Sequence, residues 1–323
     1  MKLPSLFDLQ VNGFGGIDFQ TEKLSQAELG KAVVILHERY MPRIFLTLIT
    51  NTIDALADQF ARVEKYRAAD SKIAETIVGY HLEGPFLNPT PGYCGAHPGE
   101  VMHEPNIEEF ERLQRAANGN IRLITIAPEW KGSAEFIEAV TAQGVVVSLG
   151  HTCAEDADID MAIRAGAKLC THVGNGIPSE LHRHENIMQR LLARDELIAC
   201  FIPDGIHIPP YALKNYFRAK APGKAVFTTD CMSAAGAPDG EYMLGSHKVV
   251  VGKDRVVRQP GKTTFAGSSL SLDTGVANVH HWLGISVETA WDLCSTKVAD
   301  IFNIALPQIE VPANWSASFK DKP

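Results

Sequence analysis

The chain of 323 residues is short of positive charge: 30 lysines and arginines face 38 aspartates and glutamates, a formal net charge of −8. That deficit argues against a nucleic-acid surface, because a phosphate backbone asks for a basic face. It leaves room for a small phosphorylated substrate, which needs only a few local donors. Cysteine spacing is also lacking. Six cysteines (Cys94, Cys153, Cys170, Cys200, Cys231 and Cys294) form no Cys-x-x-Cys pair, which reads as free thiols in a reducing compartment. The opening "MKLPSLFDLQ" lacks the apolar core of a signal peptide, and no apolar run approaches membrane-spanning length. The expectation is a soluble, cytoplasmic protein with neither nucleic acid nor membrane as partner.

What the chain has is apolar residues in short, regular bursts. Hydrophobic residues make up 45% and charged residues 21%, enough for a sizeable core. Eight apolar runs, at 5–11, 43–49, 76–83, 121–127, 145–151, 168–173, 197–203 and 225–230, alternate with amphipathic helical stretches. They show little polar alternation, as strands covered on both faces do. Strands alternating with helices imply a parallel sheet. Two architectures fit: a closed (β/α)8 barrel and an open doubly wound sheet. His81, Glu83, His151, His172, Asp204 and Asp230 all fall at or just past predicted strand ends. A barrel gathers such ends into one mouth, where active sites are built, and this favours the barrel. Between about 236 and 268 the rhythm changes to short strands with turns, a β-rich insertion. Two helices are expected after it.

The strand-end residues carry the candidate chemistry. Glu83, in "YHLEGPF", is either a site carboxylate or a structural one that caps a helix or pairs with an arginine. His81 points to the same face, as a group supporting a ligand or as a hydrogen-bonded core histidine. His151 in "SLGHT" and His172 in "CTHVGN" end consecutive strands. Two imidazoles and a carboxylate at one mouth are zinc-type ligands, with a fourth position left for water. Asp230, in "VFTTDC", suits a base that takes a proton from water and hands it on; otherwise it is an N-cap or turn aspartate. His97, in the glycine-rich "GYCGAHPGE", could polarise a carbonyl or sit idle. Arg183 within "ELHRHE" could bind an anion or belong to a solvated face. His207 lies on the loop after the seventh run, and "FAGSS" (265–269) could present backbone N–H groups to substrate.

Taken in order, "QVNGFGG", "HLEGPF", "GAHP", "LGHT", "THVGNG", "PDGIH", "TTD", "PDGEYMLG" and "FAGSS" resemble the N-acetylglucosamine-6-phosphate deacetylase family of the amidohydrolase superfamily. The resemblance covers nearly the whole chain. It implies a metal-dependent-hydrolase barrel at 1–305. It also implies one divalent ion per subunit, zinc or iron, on Glu83, His151 and His172. Asp230 would serve as general base and then acid, and His97 would hold the acetyl carbonyl oxygen. Asn175 and His207 would contact the sugar phosphate, with Arg183 reaching the phosphate of a neighbouring subunit in a homodimer. Ala96, Gly176, Phe265, Ala266 and Gly267 would line the sugar. The implied reaction converts N-acetyl-D-glucosamine 6-phosphate to D-glucosamine 6-phosphate and acetate. The alternatives are a deacetylase of a related sugar, such as N-acetylgalactosamine 6-phosphate, and a barrel that binds amino-sugar phosphates without catalysis. Two departures stand out. The small β-sandwich of the family is expected to be missing or vestigial, with 306–323 as a short remnant. "DLQVNGFGG" also carries Gln10 and Asn12 where related barrels carry metal-binding histidines. Amides are poor zinc ligands beside imidazole, so these two residues mark a vacant second-metal position.

Overall fold

The computed structural model describes residues 1–261, 265–312, 314 and 315. Among them, one parallel sheet has eight strands: β1 (Phe7–Val11), β2 (Arg43–Ile49), β3 (Ile77–Glu83), β4 (Ile121–Ile126), β5 (Val146–Leu149), β6 (Leu169–Cys170), β7 (Ile198–Phe201) and β8 (Ala225–Phe227). These are the eight apolar runs. Neighbours in the sheet are neighbours in sequence. A parallel bridge between Val11 and Cys231 returns the first strand to the end of the eighth. Asp8 strengthens that seam by accepting from the Thr228 and Thr229 hydroxyls at 2.6 Å each. The ring is closed, as in a (β/α)8 barrel, and the open-sheet alternative falls.

The barrel interior is filled in layers. At its N-terminal end Phe7, Phe45, Leu123, Val146, Leu169, Cys200 and Val226 form an apolar cluster. Gly79 of β3 belongs to this level. A Cβ there would lie 2.8 Å from the Phe45 ring, so its absence admits the edge-on contacts of Phe45 with Phe7 (5.0 Å) and Phe302 (4.7 Å). Above lies a polar layer. His81 meets Thr47 (3.4 Å) and Thr125 (2.7 Å), and Thr171 links Thr125 (2.7 Å) to Ser148 (2.6 Å). Burial holds the His81 pKa down at about 4. His81 is thus a satisfied core histidine beneath the mouth.

Helices cover the outside. Gln26–Glu38, for example, starts in a capping box made by Ser25 and Glu28 and buries Leu29, Ala32, Val33 and Leu36. After residue 270 the described residues contain three helices, Leu272–Leu283, Val287–Asp292 and Thr296–Ile301, in place of the two expected. The extra break has a local cause. The Leu293 and Cys294 carbonyls accept from the N–H groups of Phe227 and Phe7, at 3.1 Å each. Ser295 Oγ donates to the Ser5 carbonyl at 2.5 Å. The interruption therefore caps the bottom of β1 and β8.

The rhythm change after β8 corresponds to β9 (Gly240–Leu244), β10 (His247–Val251) and β11 (Val257–Arg258), an antiparallel sheet. Its Leu244, Val249, Val251 and Val257 pack on Met232, Ala234 and Ala266 beside the barrel mouth. Residues 262–264 of that stretch lie outside the described residues. Near the termini, Lys2–Pro4 pairs antiparallel with Gln308–Glu310. Of the expected 306–323 remnant, 313 and 316–323 lie outside the described residues. Among the described residues no helix is long and apolar enough to cross a membrane.

Candidate active site

Strand ends place the polar residues. Glu83 closes β3 and is almost wholly buried. His151 and Asp230 lie just beyond β5 and β8, and His172 just beyond β6. All three have positive φ (50°, 49° and 26° respectively). This left-handed region is costly for non-glycine residues, on the order of 1–3 kcal/mol each, and such strain gathers at functional sites. The turns aim the three side chains into the mouth.

Glu83 is the hub. Its Oε1 lies 3.0 Å from His172 Nε2 and 3.5 Å from His151 Nε2, and its Oε2 lies 3.9 Å from His97 Nε2. Burial pushes the Glu83 pKa up, but hydrogen bonds to His151 and His172 and the surrounding imidazoles reverse this and hold it well below the usual value. The same pairing raises the His172 pKa against the opposing effect of its burial. Among the described residues, one group has the compactness of a metal site: Glu83, His97 and His151, whose ligand atoms lie within 4.8 Å of one another.

The tautomer of His151 tests whether a cation fits. Its Nδ1 lies 2.7 Å from the Tyr93 carbonyl, which only accepts, so Nδ1 carries the proton. In the neutral ring Nε2 then presents a lone pair toward Glu83 Oε1, also an acceptor. Two acceptors facing each other at 3.5 Å are reconciled by a cation, either a proton held as a hydrogen bond to Glu83 or a metal ion. The bond to a backbone carbonyl is the usual support of a metal-ligating histidine. Gly95 and Gly176 make room for the ring. A Cβ on either would lie 2.9 Å from Cε1 or 2.5 Å from Nδ1.

His97 Nδ1 meets Thr50 Oγ1 at 2.8 Å, and burial pulls its pKa down to about 3. Asp230 lines the same cavity as Glu83. Its pKa is raised to about 7, first by burial and then by the charge of Glu83. Asn12 Nδ2 donates to Asp230 Oδ1 at 2.7 Å, and Gln10 Nε2 donates to Glu83 Oε2 at 3.0 Å. Each amide therefore holds one carboxylate.

These groups face a cavity of about 640 Å³ whose lining includes Asn12, Glu83, His97, His151, His172 and Asp230. Ala96, Asn175, Gly176, His207, Phe265 and Gly267 also line it. Asp204 orients His207 through a 2.6 Å contact to Nδ1, leaving Nε2 as the ring nitrogen not engaged by Asp204. Three predicted residues stand apart from the lining: Gln10 lies behind Glu83, Ala266 is buried, and Arg183 is exposed. Sequence reasoning missed Thr50 and the Tyr93 carbonyl, and gave Asp204 no role. A backbone carbonyl has no residue signature. Asp204 was detectable by its three-residue spacing from His207.

No family model matches the chain. It is similar to the N-acetylglucosamine-6-phosphate deacetylase of Bacillus subtilis (strain 168), 31% identical over 299 residues, covering 92% of this chain and 74% of that protein. The Homo sapiens N-acetylglucosamine-6-phosphate deacetylase is 31% identical over 313 residues, with 93% and 74% covered. Among solved structures, a mutant N-acetyl-D-glucosamine-6-phosphate deacetylase from Mycobacterium smegmatis, in complex with N-acetyl-D-glucosamine-6-phosphate, superposes with a TM-score of 0.84 at 28% identity over 95% of this chain and 79% of that one. Enamidase, a member of the amidohydrolase superfamily, shares the fold alone, with a TM-score of 0.50 at 13% identity over 94% of this chain and 68% of that one.

Proposed function

Because the chain belongs to the N-acetylglucosamine-6-phosphate deacetylase family, we propose that it hydrolyses the acetamide of N-acetyl-D-glucosamine 6-phosphate to D-glucosamine 6-phosphate and acetate. The observation that carries this reading is the buried Glu83 carboxylate ringed by three imidazoles, with Asp230 beside it in the same cavity.

Glu83, His151 and His172 would hold one divalent ion, zinc or iron. His151 and His172 Nε2 address the same Glu83 oxygen, at 3.5 and 3.0 Å, whereas His97 addresses the other. Such an ion supplies Lewis acidity toward the acetamide oxygen and lowers the pKa of water. Asp230 takes the proton of the attacking water. A carboxylate beside the attacking water can both accept a proton and return it. The Asn12 bond fixes Oδ1 and leaves Oδ2 for that task. As the C–N bond breaks, Asp230 delivers the proton to nitrogen, because an amide anion is too poor a leaving group to depart unprotonated. His97 stabilises the developing charge on the carbonyl oxygen. Gln10 and Asn12 occupy the second-metal position with hydrogen bonds to the two carboxylates in place of ligation.

Asn175 and His207, the latter fixed by Asp204, would contact the sugar phosphate. Ala96, Gly176, Phe265 and Gly267 would line the ring, with the buried Ala266 between the last two in the chain. Arg183, exposed and outside the cavity lining, would serve the phosphate of a partner subunit in a homodimer. We place the enzyme in the cytoplasm, where its free thiols stay reduced. The test combines metal analysis with acetate release from N-acetyl-D-glucosamine 6-phosphate. The expected result is one divalent ion per chain and steady turnover. Two adjacent, fully occupied ions would overturn the stoichiometry, and metal-loaded protein that releases no acetate would overturn the activity.

A further inference from the structure

The cavity has an apolar corner that the hydrolytic groups do not use. Ile49 is the last residue of β2 and lies in register with Glu83 on β3. Its side chain lines the cavity, as do Ala96 and Leu244. Leu244 is part of the cluster under the β9–β11 sheet, and Ile49 and Ala96 pack against that cluster. The corner sits beside the reacting centre. Ile49 precedes Thr50 and Ala96 precedes His97, and Thr50 and His97 are joined at 2.8 Å.

Topology decides which part of a substrate reaches it. In a closed ring of eight strands, β2 stands opposite β6. Asn175 and Gly176 follow β6, and His207 follows β7. A substrate held there by its sugar, with its amide carbon at Glu83 and Asp230, directs its acyl tail across the mouth toward Ile49. The wall it meets is anchored. Ile49 N donates to Gln20 Oε1 at 3.0 Å, and Gln20 Nε2 donates to the Thr47 carbonyl at 2.8 Å. Next to Leu244, Gly245 N donates to Asp18 Oδ2 at 2.8 Å. Neither side of the corner is free to recede.

We infer that Ile49 and Leu244 wall the acyl pocket of this enzyme and restrict it to one- and two-carbon acyl groups. This rests on the hydrolase reading above. A closed apolar pocket distinguishes one methylene by about 10–200-fold, so the discrimination is within reach of direct assay.

The test uses metal-loaded full chain and the N-formyl, N-acetyl and N-propionyl forms of glucosamine 6-phosphate, with free amine as the readout. Wild type should favour acetyl over propionyl in kcat/KM by tenfold or more. Ile49→Ala and Leu244→Ala should each raise the propionyl-to-acetyl ratio by about tenfold with the metal content retained. Acetyl turnover with ratios that neither substitution moves overturns the pocket and leaves the hydrolase reading standing. Absence of turnover on every acyl form overturns both.

Discussion

Asp230 and Glu83 are both buried carboxylates at one mouth, and their surroundings divide their roles. Glu83 is bonded to imidazoles and a glutamine amide, whereas Asp230 has one amide partner and a pKa near 7. Asp230→Asn keeps the shape and removes the proposed proton acceptor. It should retain the metal and lower kcat by about 10²–10⁴-fold, the usual contribution of a general acid–base group. Near-normal turnover in that variant, with metal measured in the same sample, would sink the role. Gly176 is tested differently. With φ at 63° and its would-be Cβ 2.5 Å from His151 Nδ1, Gly176→Ala must displace the ring or its bond to Tyr93. Metal affinity, read by competition with a chelator, should fall by about 10–100-fold, as when support of a ligand is lost. Unchanged affinity would show that the Tyr93 contact is dispensable. At this scale the sequence displayed what lies at strand ends and hid what acts through the backbone. Glu83, His151 and His172 were visible because each closes an apolar run. The tautomer of His151 depends on a carbonyl 58 residues away in the chain, which no local pattern records.

The eight strands were legible because burial on both faces leaves uninterrupted apolar runs. The split between Val287–Asp292 and Thr296–Ile301 was not, because its cause is a pair of carbonyls drawn to strands far away in sequence. The β9–β10 hairpin shows a further element-scale dependence. It is tied to the barrel through Asp18, which accepts from Gln20 N at 3.0 Å and Gly245 N at 2.8 Å. Burial raises the Asp18 pKa from 3.8 to about 6 against those two bonds. The folded state therefore binds this proton more tightly than the unfolded chain. The resulting stabilisation is fully present below about pH 4 and disappears as pH rises through 6. An asparagine at this position does not titrate. Lowering the pH from 7 to 5 should thus stabilise the wild type relative to Asp18→Asn by about 1 kcal/mol. Urea melts of both proteins at the two pH values measure it. A difference that stays constant, or that grows in favour of the variant on acidification, would contradict the account.

At the scale of the whole molecule, the closed ring explains how residues from Asn12 to Gly267 reach one cavity, and it leaves Arg183 exposed outside the lining. A guanidinium with that placement serves the phosphate only if a second chain brings it to the neighbouring mouth. In a two-fold dimer each subunit would lend Arg183 and receive its partner's. The consequence can be tested by mixing two defective proteins. Arg183→Ala supplies intact Asp230 but lends no guanidinium. Asp230→Asn lends its guanidinium but cannot move the proton. In a mixed dimer, the cavity of the Arg183→Ala subunit regains both groups, whereas the other cavity lacks both. Random reassociation of equal amounts makes half the dimers mixed, with one good site in two, so activity should recover to about a quarter of wild type. The assay is run at low substrate, where loss of a phosphate contact is felt most. Recovery that tracks subunit exchange supports the crossed arrangement. Activity equal only to the mean of the two parents, or a chain that sediments as a monomer while retaining full turnover, would assign Arg183 no part in the partner's site.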